Sequence, residues 1–121
     1  MYEGIHHVSL SVTDLDRART FYTDILEFKE CRRPKLKSNG AWYQIGSTQL
    51  HLIEYEGKTL RRTTEIDKSD GHFAVRVTDM KEMTRKLREA SIDYEEVPNS
   101  KTGWHQVYVT DRDGNIIEFN V

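Results

Sequence analysis

The chain has 121 residues, of which 36% are hydrophobic and 31% are charged, a composition that indicates one soluble globular domain rather than a disordered chain. Its 18 basic and 20 acidic side chains nearly cancel, so the sequence gives no sign of a nucleic-acid partner. The start lacks a secretory pattern, no apolar run spans a membrane, and the lone Cys31 excludes a disulfide framework, so we expect a cytoplasmic protein without membrane partners.

The first predicted strand opens a pattern that returns 65 residues later. Residues 7–15 and 72–80 both read His, apolar, small, apolar, polar, Val-Thr-Asp, apolar. Two copies are too few for a stable solenoid, so we interpret them as two halves of a duplicated domain.

Each half is predicted to fold in the order βαβββ. A strand starts at His7, Asp14 caps the following helix, and strand-like runs cover residues 28–33, 41–45 and 49–55. The second half repeats this with a strand at His72, a helix capped by Asp79, and runs at 94–97, 105–110 and 115–121. We therefore predict an α+β domain over residues 1–121, with module one at 1–57, a polar connection at 58–70 and module two at 71–121.

Four candidate metal ligands occupy matched strands. Strand alternation places His7 and His72 opposite the apolar residues of the first strands, and His51 and Glu118 opposite those of the last strands. The intervals are 44 residues in one half and 46 in the other. Three imidazoles and a carboxylate suit one divalent ion of Zn, Ni, Fe, Co or Mn and leave two octahedral positions open. His6 is predicted on the opposite face from His7, and therefore not as a ligand.

Several short motifs make the chain resemble the vicinal oxygen chelate superfamily, which includes glyoxalase I, extradiol dioxygenases, fosfomycin-modifying enzymes and bleomycin-binding proteins. The motifs are Ile5-His6-His7-Val8, Phe21-Tyr22 before Leu26-Glu27-Phe28, Gly71-His72-Phe73-Ala74, and Asp111-Arg112-Asp113-Gly114-Asn115 before Ile117-Glu118-Phe119. The resemblance covers essentially the whole chain. It implies the glyoxalase/bleomycin resistance/dioxygenase fold, in which two pseudo-symmetric βαβββ modules form a cupped mixed sheet, and it implies a homodimer.

The resemblance also suggests a reaction. The leading hypothesis is a metal-dependent, glyoxalase I-like lyase or isomerase that acts on a small substrate chelated through vicinal oxygens, with the metal as a Lewis acid. Glu118 is a ligand and a candidate general base, and His51 is a ligand or the competing base. The candidate substrate contacts, one of them in the basic cluster at residues 32–37, are Arg32, Trp42, Tyr43 and Tyr108.

The chain departs from the family pattern at three positions, and the departure at His51 leaves alternatives open. A typical glyoxalase I resembles a His/Glu/His/Glu ligand set, whereas this chain has His51 at the second position. Glu27 replaces a common Gly after the first helix, and Arg112 replaces a common Pro in the last turn. The alternatives are an Fe(II) extradiol-type dioxygenase, a fosfomycin-type thiol transferase, and a non-catalytic drug-binding dimer of the bleomycin-resistance type.

Overall fold

The structure is a computed structural model that describes residues 1–56 and 63–121. The chain forms two compact units, Met1–Arg61 and Arg62–Val121. Each unit has the element order βαβββ, which confirms the predicted α+β class and its internal duplication. The predicted connection at 58–70 falls partly, at residues 58–62, outside the described part of the chain.

Unit one contains one mixed four-stranded sheet. Its elements are β1 (His7–Val12), α1 (Leu15–Arg19), a π-helical continuation (Thr20–Ile25), β2 (Lys29–Cys31), β3 (Gly40–Ile45) and β4 (Thr48–Glu54). The strand order is β1-β4-β3-β2, with β1 parallel to β4 and the other pairs antiparallel. The first and last strands of the unit are therefore direct neighbours.

Unit two repeats this topology. Its elements are β5 (His72–Arg76), α2 (Met80–Glu89), β6 (Glu95–Val97), β7 (Gln106–Thr110) and β8 (Ile116–Asn120). The strand order is β5-β8-β7-β6, again with only the β5–β8 pair parallel. No helix in the described ranges is long and apolar enough to cross a membrane.

Both helices begin at the predicted aspartates. Asp14 accepts a hydrogen bond from the backbone N–H of Arg17 at 3.1 Å, and Asp79 accepts one from Glu82 at 3.1 Å. Such side-chain caps satisfy amide groups that have no partner within the helix. The two Thr-Asp repeats therefore specify where strand ends and helix begins.

The helices end with residues in the left-handed backbone region. Glu27 has φ +59° and Ser91 has φ +56°, a conformation that glycine adopts without steric cost. Glu27 stands where the resemblance led us to expect Gly, so the chain keeps the turn while carrying a less favourable residue. The departure changes local stability rather than topology.

The core of unit one lies on the helix side of the sheet. Tyr43 is fully buried, and its ring lies 6.2 Å from Tyr22 and 6.4 Å from Phe28. Its hydroxyl shares a 2.8 Å hydrogen bond with Thr23, while burial, as the main cause, raises the pKa of Tyr43. A fully buried aromatic ring with a satisfied hydroxyl is a packing residue.

Two loops differ from the expectations for their sequence. The run predicted at 28–33 is a strand only to Cys31, because the guanidinium of Arg33 instead donates to the backbone and hydroxyl oxygens of Ser38, both at 3.0 Å. The turn before β8 forms without proline, since Asp111 accepts hydrogen bonds from the N–H groups of Asp113 and Asn115, both at 2.9 Å. That turn sets the start of the strand that carries Glu118.

Candidate functional site

In unit one, His7 and His51 share one face of neighbouring strands. Ser9, on the same face of β1 as His7, is the pairing partner of His51 on β4. The two imidazole rings are stacked, with centroids 4.1 Å apart and planes inclined by 14°. Trp42, the β3 partner of His51, also stacks on it at 3.9 Å and 3°. His51 is therefore held between two aromatic rings.

Burial favours the neutral form of His51. The side chain is only 6% exposed, and burial is the main cause that lowers its pKa, with smaller contributions from His7, His6 and Arg33. A neutral imidazole has a lone pair that can bind a metal ion or accept a proton. His51 can thus serve in either predicted role near neutral pH.

A relay of two amides fixes which nitrogen of His51 carries the proton. Gln44 Nε2 donates to the Gly46 carbonyl at 2.9 Å, and Gln49 Nε2 donates to Gln44 Oε1 at 3.1 Å. Gln49 Oε1 then lies 2.8 Å from His51 Nε2 and can only accept. His51 is consequently protonated on Nε2, and its free lone pair is on Nδ1.

His6 departs from the prediction that it lies opposite His7. Its Nδ1 is 2.9 Å from Nδ1 of His7, and its ring centroid lies 6.4 Å from that of His51. Strand alternation cannot be extended to His6 because β1 begins only at His7. The prediction of its face was therefore wrong, and His6 adjoins the predicted ligands.

In unit two, His72 and Glu118 occupy the equivalent register. Ala74, on the same face of β5 as His72, pairs with Glu118 on β8, just as Ser9 pairs with His51. His72 Nδ1 donates to the backbone carbonyl of Asp70 at 2.8 Å, because a carbonyl oxygen can only accept. His72 Nε2, which carries the lone pair in the neutral imidazole, lies 3.7 Å from Glu118 Oε1.

Three side chains hold the carboxylate of Glu118. Tyr108 and Gln106 donate to Oε1 at 2.6 and 3.0 Å, and Asn120 donates to Oε2 at 2.7 Å. Glu118 is 5% exposed. Burial and the contact with Glu118 raise the pKa of Tyr108 to about 12, so its hydroxyl remains a donor at neutral pH. The carboxylate is thus fixed in position by hydrogen bonds.

The structure presents the four predicted ligands as two pairs, His7 with His51 and His72 with Glu118. Among residues 1–56 and 63–121, no group of three or more His, Cys, Asp or Glu side chains forms a metal-ligand cluster. The four-ligand centre therefore stays a prediction. In each pair, one histidine nitrogen is hydrogen-bonded to an oxygen, as is usual for metal-binding histidines.

The predicted substrate contacts lie in three different environments. Trp42 lies against His51 and Tyr108 against Glu118, so these two flank the candidate ligands. Tyr43 instead faces the core of unit one, one residue out of step with Trp42. Arg32 is exposed just beyond the end of β2. Outside that set, His105 is half-buried with Nε2 3.4 Å from Glu96 Oε1.

The amides that orient the ligands were not among the predicted site residues. Gln49 precedes His51 by two residues and Asn120 follows Glu118 by two, so each shares a strand face with the ligand that it contacts. Gln106 lies two residues before Tyr108 on β7, so both side chains are on the sheet face that carries Glu118. The period of two was the signal that could have found them.

Comparisons with known proteins agree with this architecture. The family model of the Glyoxalase/Bleomycin resistance protein/Dioxygenase superfamily matches residues 4–119. Glyoxylase I 4 of Arabidopsis thaliana is 31% identical over 119 residues, which cover 95% of this chain and 68% of that protein. These two matches extend over nearly the entire chain.

Two solved structures share the fold at lower identity. A variant of the fosfomycin resistance protein FosX from Listeria monocytogenes, complexed with Mn(II) and 1S,2S-dihydroxypropylphosphonic acid, gives a TM-score of 0.78 at 21% identity, covering 100% of this chain and 93% of that one. Lactoylglutathione lyase from Agrobacterium tumefaciens gives 0.73 at 22%, covering 98% and 93%. Together with the family model and the plant relative, the duplicated βαβββ units show that this chain belongs to the Glyoxalase/Bleomycin resistance protein/Dioxygenase superfamily.

Proposed function

We propose that the protein is a metal-dependent, glyoxalase I-like enzyme of the lyase or isomerase type, acting on a small substrate through two vicinal oxygens. One observation carries the proposal. His72 Nε2 and a carboxylate oxygen of Glu118 lie 3.7 Å apart, and Nε2 carries the lone pair when the imidazole is neutral. Two electron-pair donors at this separation favour a cation between them. One ion can contact both atoms, because 3.7 Å is shorter than the combined length of two metal–ligand bonds of about 2.1 Å each.

The donor set of both pairs fits a divalent ion. We propose that His7, His51, His72 and Glu118 hold one ion, supplied by one chain or by two copies of it. Neutral imidazoles and a carboxylate suit Zn, Ni, Fe, Co or Mn, and binding by one carboxylate leaves a net positive charge on the centre. When bound, the ion would supply Lewis-acid polarisation of the substrate oxygens.

The two candidate catalytic groups are unequally free to receive a proton. Glu118 accepts three hydrogen bonds, which leaves it fewer lone pairs for a substrate proton. His51 has its Nε2–H committed to Gln49 and one open lone pair on Nδ1. That lone pair is either a metal ligand or the proton acceptor at any one moment, so we assign the base role to His51 and the fixed ligand role to Glu118.

The names of the relatives support this choice of reaction class. The plant relative is called a glyoxylase I, and one structural neighbour is a lactoylglutathione lyase. The ligand in the FosX complex has hydroxyl groups on adjacent carbons, together with Mn(II). The FosX description thus combines neighbouring oxygens with a divalent ion, and we adopt such a substrate for this chain.

The experiment strips the purified protein of metal, reloads it with each candidate ion, and follows turnover of hemithioacetals formed from a 2-oxoaldehyde and simple thiols. We expect turnover only with metal, lost in His72→Ala and retained in the matched control His105→Ala. Absence of turnover with every ion would refute the proposal. Oxygen uptake with Fe(II) and catechols, thiol addition to fosfomycin, or metal-free binding of an aromatic drug would each assign one of the alternatives instead.

We also propose that residues 1–121 act as one domain and that the chain forms a homodimer. A single domain predicts one cooperative unfolding transition with coincident fluorescence and circular dichroism curves. A homodimer predicts a concentration-independent two-chain mass in sedimentation experiments at micromolar concentration. Two separate transitions, or a monomer at all concentrations, would overturn the respective proposal.

A further inference from the structure

The face of sheet two that carries Glu118 continues into a second polar row. This row contains Arg76 on β5, Asn120 on β8 and Gln106 on β7, which pair with one another across the strands. The row next to it contains Ala74, Glu118 and Tyr108, and strand alternation puts both rows on one face. Arg76 and Asn120 therefore adjoin the candidate ligand Glu118, although neither was among the predicted site residues.

Asn120 offers an acceptor that nothing in the described chain uses. Its Nδ2 must face Glu118 Oε2, because a carboxylate can only accept, so the amide orientation is fixed. Its Oδ1 is then buried without a hydrogen-bond partner, on a residue that is 5% exposed. A buried, unsatisfied amide oxygen is costly, which is consistent with a donor being supplied by a ligand.

Arg76 is a cation without an acidic partner in the described part of the chain. Its guanidinium carbon lies 5.0 Å from the ring centroid of Trp104. Both residues are exposed, and Trp104 retains 40% of its accessible surface. Stacking on an indole restricts the guanidinium but leaves its in-plane N–H groups available, and that fork matches a carboxylate or phosphonate.

We propose that Arg76, supported by Trp104, binds an anionic group at the end of the substrate that is far from the metal. Asn120 Oδ1 accepts a hydrogen bond from the part of the substrate between this anion and the vicinal oxygens. This inference rests on the proposed function, because the near end of the substrate is the pair of oxygens on the metal. It adds a substrate class: acids that carry their anion at a distance from the vicinal oxygens, rather than bare neutral hydroxycarbonyl compounds.

Sheet geometry sets the length of such a substrate. The Arg76–Asn120 row is two residues along the strands from the row of Glu118, a step of roughly 7 Å. Arg76 is one strand away from Glu118, and neighbouring strands are about 4.8 Å apart. An anion separated from the chelating oxygens by a short chain of several bonds would span this distance.

The test uses hydroxamates, which chelate through two neighbouring oxygens and carry a hydrogen-bond donor. Acetohydroxamate is the neutral probe, and the succinic and adipic monohydroxamates add a carboxylate at two distances. Calorimetry of the Zn(II)-loaded protein should show that one of the carboxylated probes binds about fivefold or more tightly than acetohydroxamate. The advantage should shrink at high salt, since the Arg76 side chain is exposed.

The matched variants are Arg76→Gln and Arg112→Gln, both at exposed arginines of unit two. We expect Arg76→Gln to abolish the preference for the carboxylated probe while leaving acetohydroxamate affinity unchanged, and Arg112→Gln to preserve both.

Failure of the inference and failure of the proposed function give different results. If acetohydroxamate and the carboxylated probes bind equally, or if Arg76→Gln keeps the preference, the anion subsite is refuted while metal-dependent chelation stands. If no hydroxamate binds the Zn(II)-treated protein and no zinc is retained, the proposed metal centre fails, and the subsite fails with it.

Discussion

The two units place their second candidate ligand in the same register but hold it by different physical means. In unit one, His51 is paired with Trp42, which stacks on it at 3.9 Å. In unit two, Glu118 is paired with Tyr108, whose hydroxyl donates to it at 2.6 Å. The neutral ring is held by two stacking contacts and one hydrogen bond, and the anion by three hydrogen bonds. The duplication thus preserves position, while the aromatic neighbour follows the charge of the ligand.

This difference indicates how each half responds to change. His51 depends on burial, which lowers its pKa and keeps it neutral. Glu118 depends on donors, three of which contact its carboxylate. Removing an aromatic ring should therefore change the protonation of unit one, whereas removing a hydroxyl should change the ligand strength of unit two.

The largest effect is expected when the negative charge of Glu118 in unit two is removed. Glu118→Gln removes the only anionic ligand of the predicted set, so the affinity for a divalent ion should fall by more than about 100-fold. Competition with a metal-sensitive dye measures it. Glu95→Gln, at the residue paired with Tyr108 on the next strand, is the control and should bind metal normally. Equal affinities for the two variants would contradict the ligand role of Glu118.

A smaller loss is expected when only the orienting hydroxyl of unit two is removed. Tyr108→Phe deletes one hydrogen bond to Glu118 and should weaken metal binding by about 10- to 100-fold. Tyr43→Phe deletes a hydrogen bond of 2.8 Å to Thr23 in the core, so it should cost about 1 kcal/mol of stability without changing metal affinity. If both variants lose stability but neither loses metal, Tyr108 is merely structural.

The contrast between the halves also predicts a pH dependence that belongs to unit one. The folded state lowers the pKa of His51, so below about 6.5 the unfolded chain binds the proton more readily. The free energy of unfolding of the metal-free protein should fall as pH decreases through that value. His51→Gln should flatten this part of the profile, and Trp42→Ala should raise the pKa of His51 in NMR titrations. A profile identical in wild type and His51→Gln would reject this account.

The smallest expected effect tests the helix ends, where the two units are alike. Glu27→Gly relieves a left-handed residue and should stabilise unit one by about 0.5–1 kcal/mol, seen as a higher Tm. Ser91→Gly should act similarly in unit two. A loss of stability in both variants would show that the side chains contribute more than the backbone conformation costs.

Local rules allowed much of the fold to be predicted. Asp14 and Asp79 cap helices as expected, because capping depends on residues within one turn. Alternation placed His7, His51, His72 and Glu118 on the right strands. A strand boundary that is predicted one residue too early or too late does not change which residues inside the strand alternate. The strand run through residue 33 was too long because it depended on a loop contact between Arg33 and Ser38.

The surroundings of the candidate site were harder to predict because they depend on register between strands. Choosing Trp42 over Tyr43 requires knowing that Trp42, and not its neighbour, pairs with His51. The contact of Gln44 with Gln49 and the donors Gln106 and Tyr108 of Glu118 likewise follow from cross-strand pairing. Pairing is set by the whole sheet, so a list of strands alone does not reveal it.

The most direct measurement of the central claim is the anomalous scattering of a bound ion in crystals grown with Mn(II) or Zn(II). A four-ligand centre predicts one anomalous peak per chain, with the ion bonded to His72 and Glu118 and to the histidine pair His7 and His51, whether one chain or two copies supply them. Peaks bonded to only one of the two pairs, or to none of the four side chains, would contradict it.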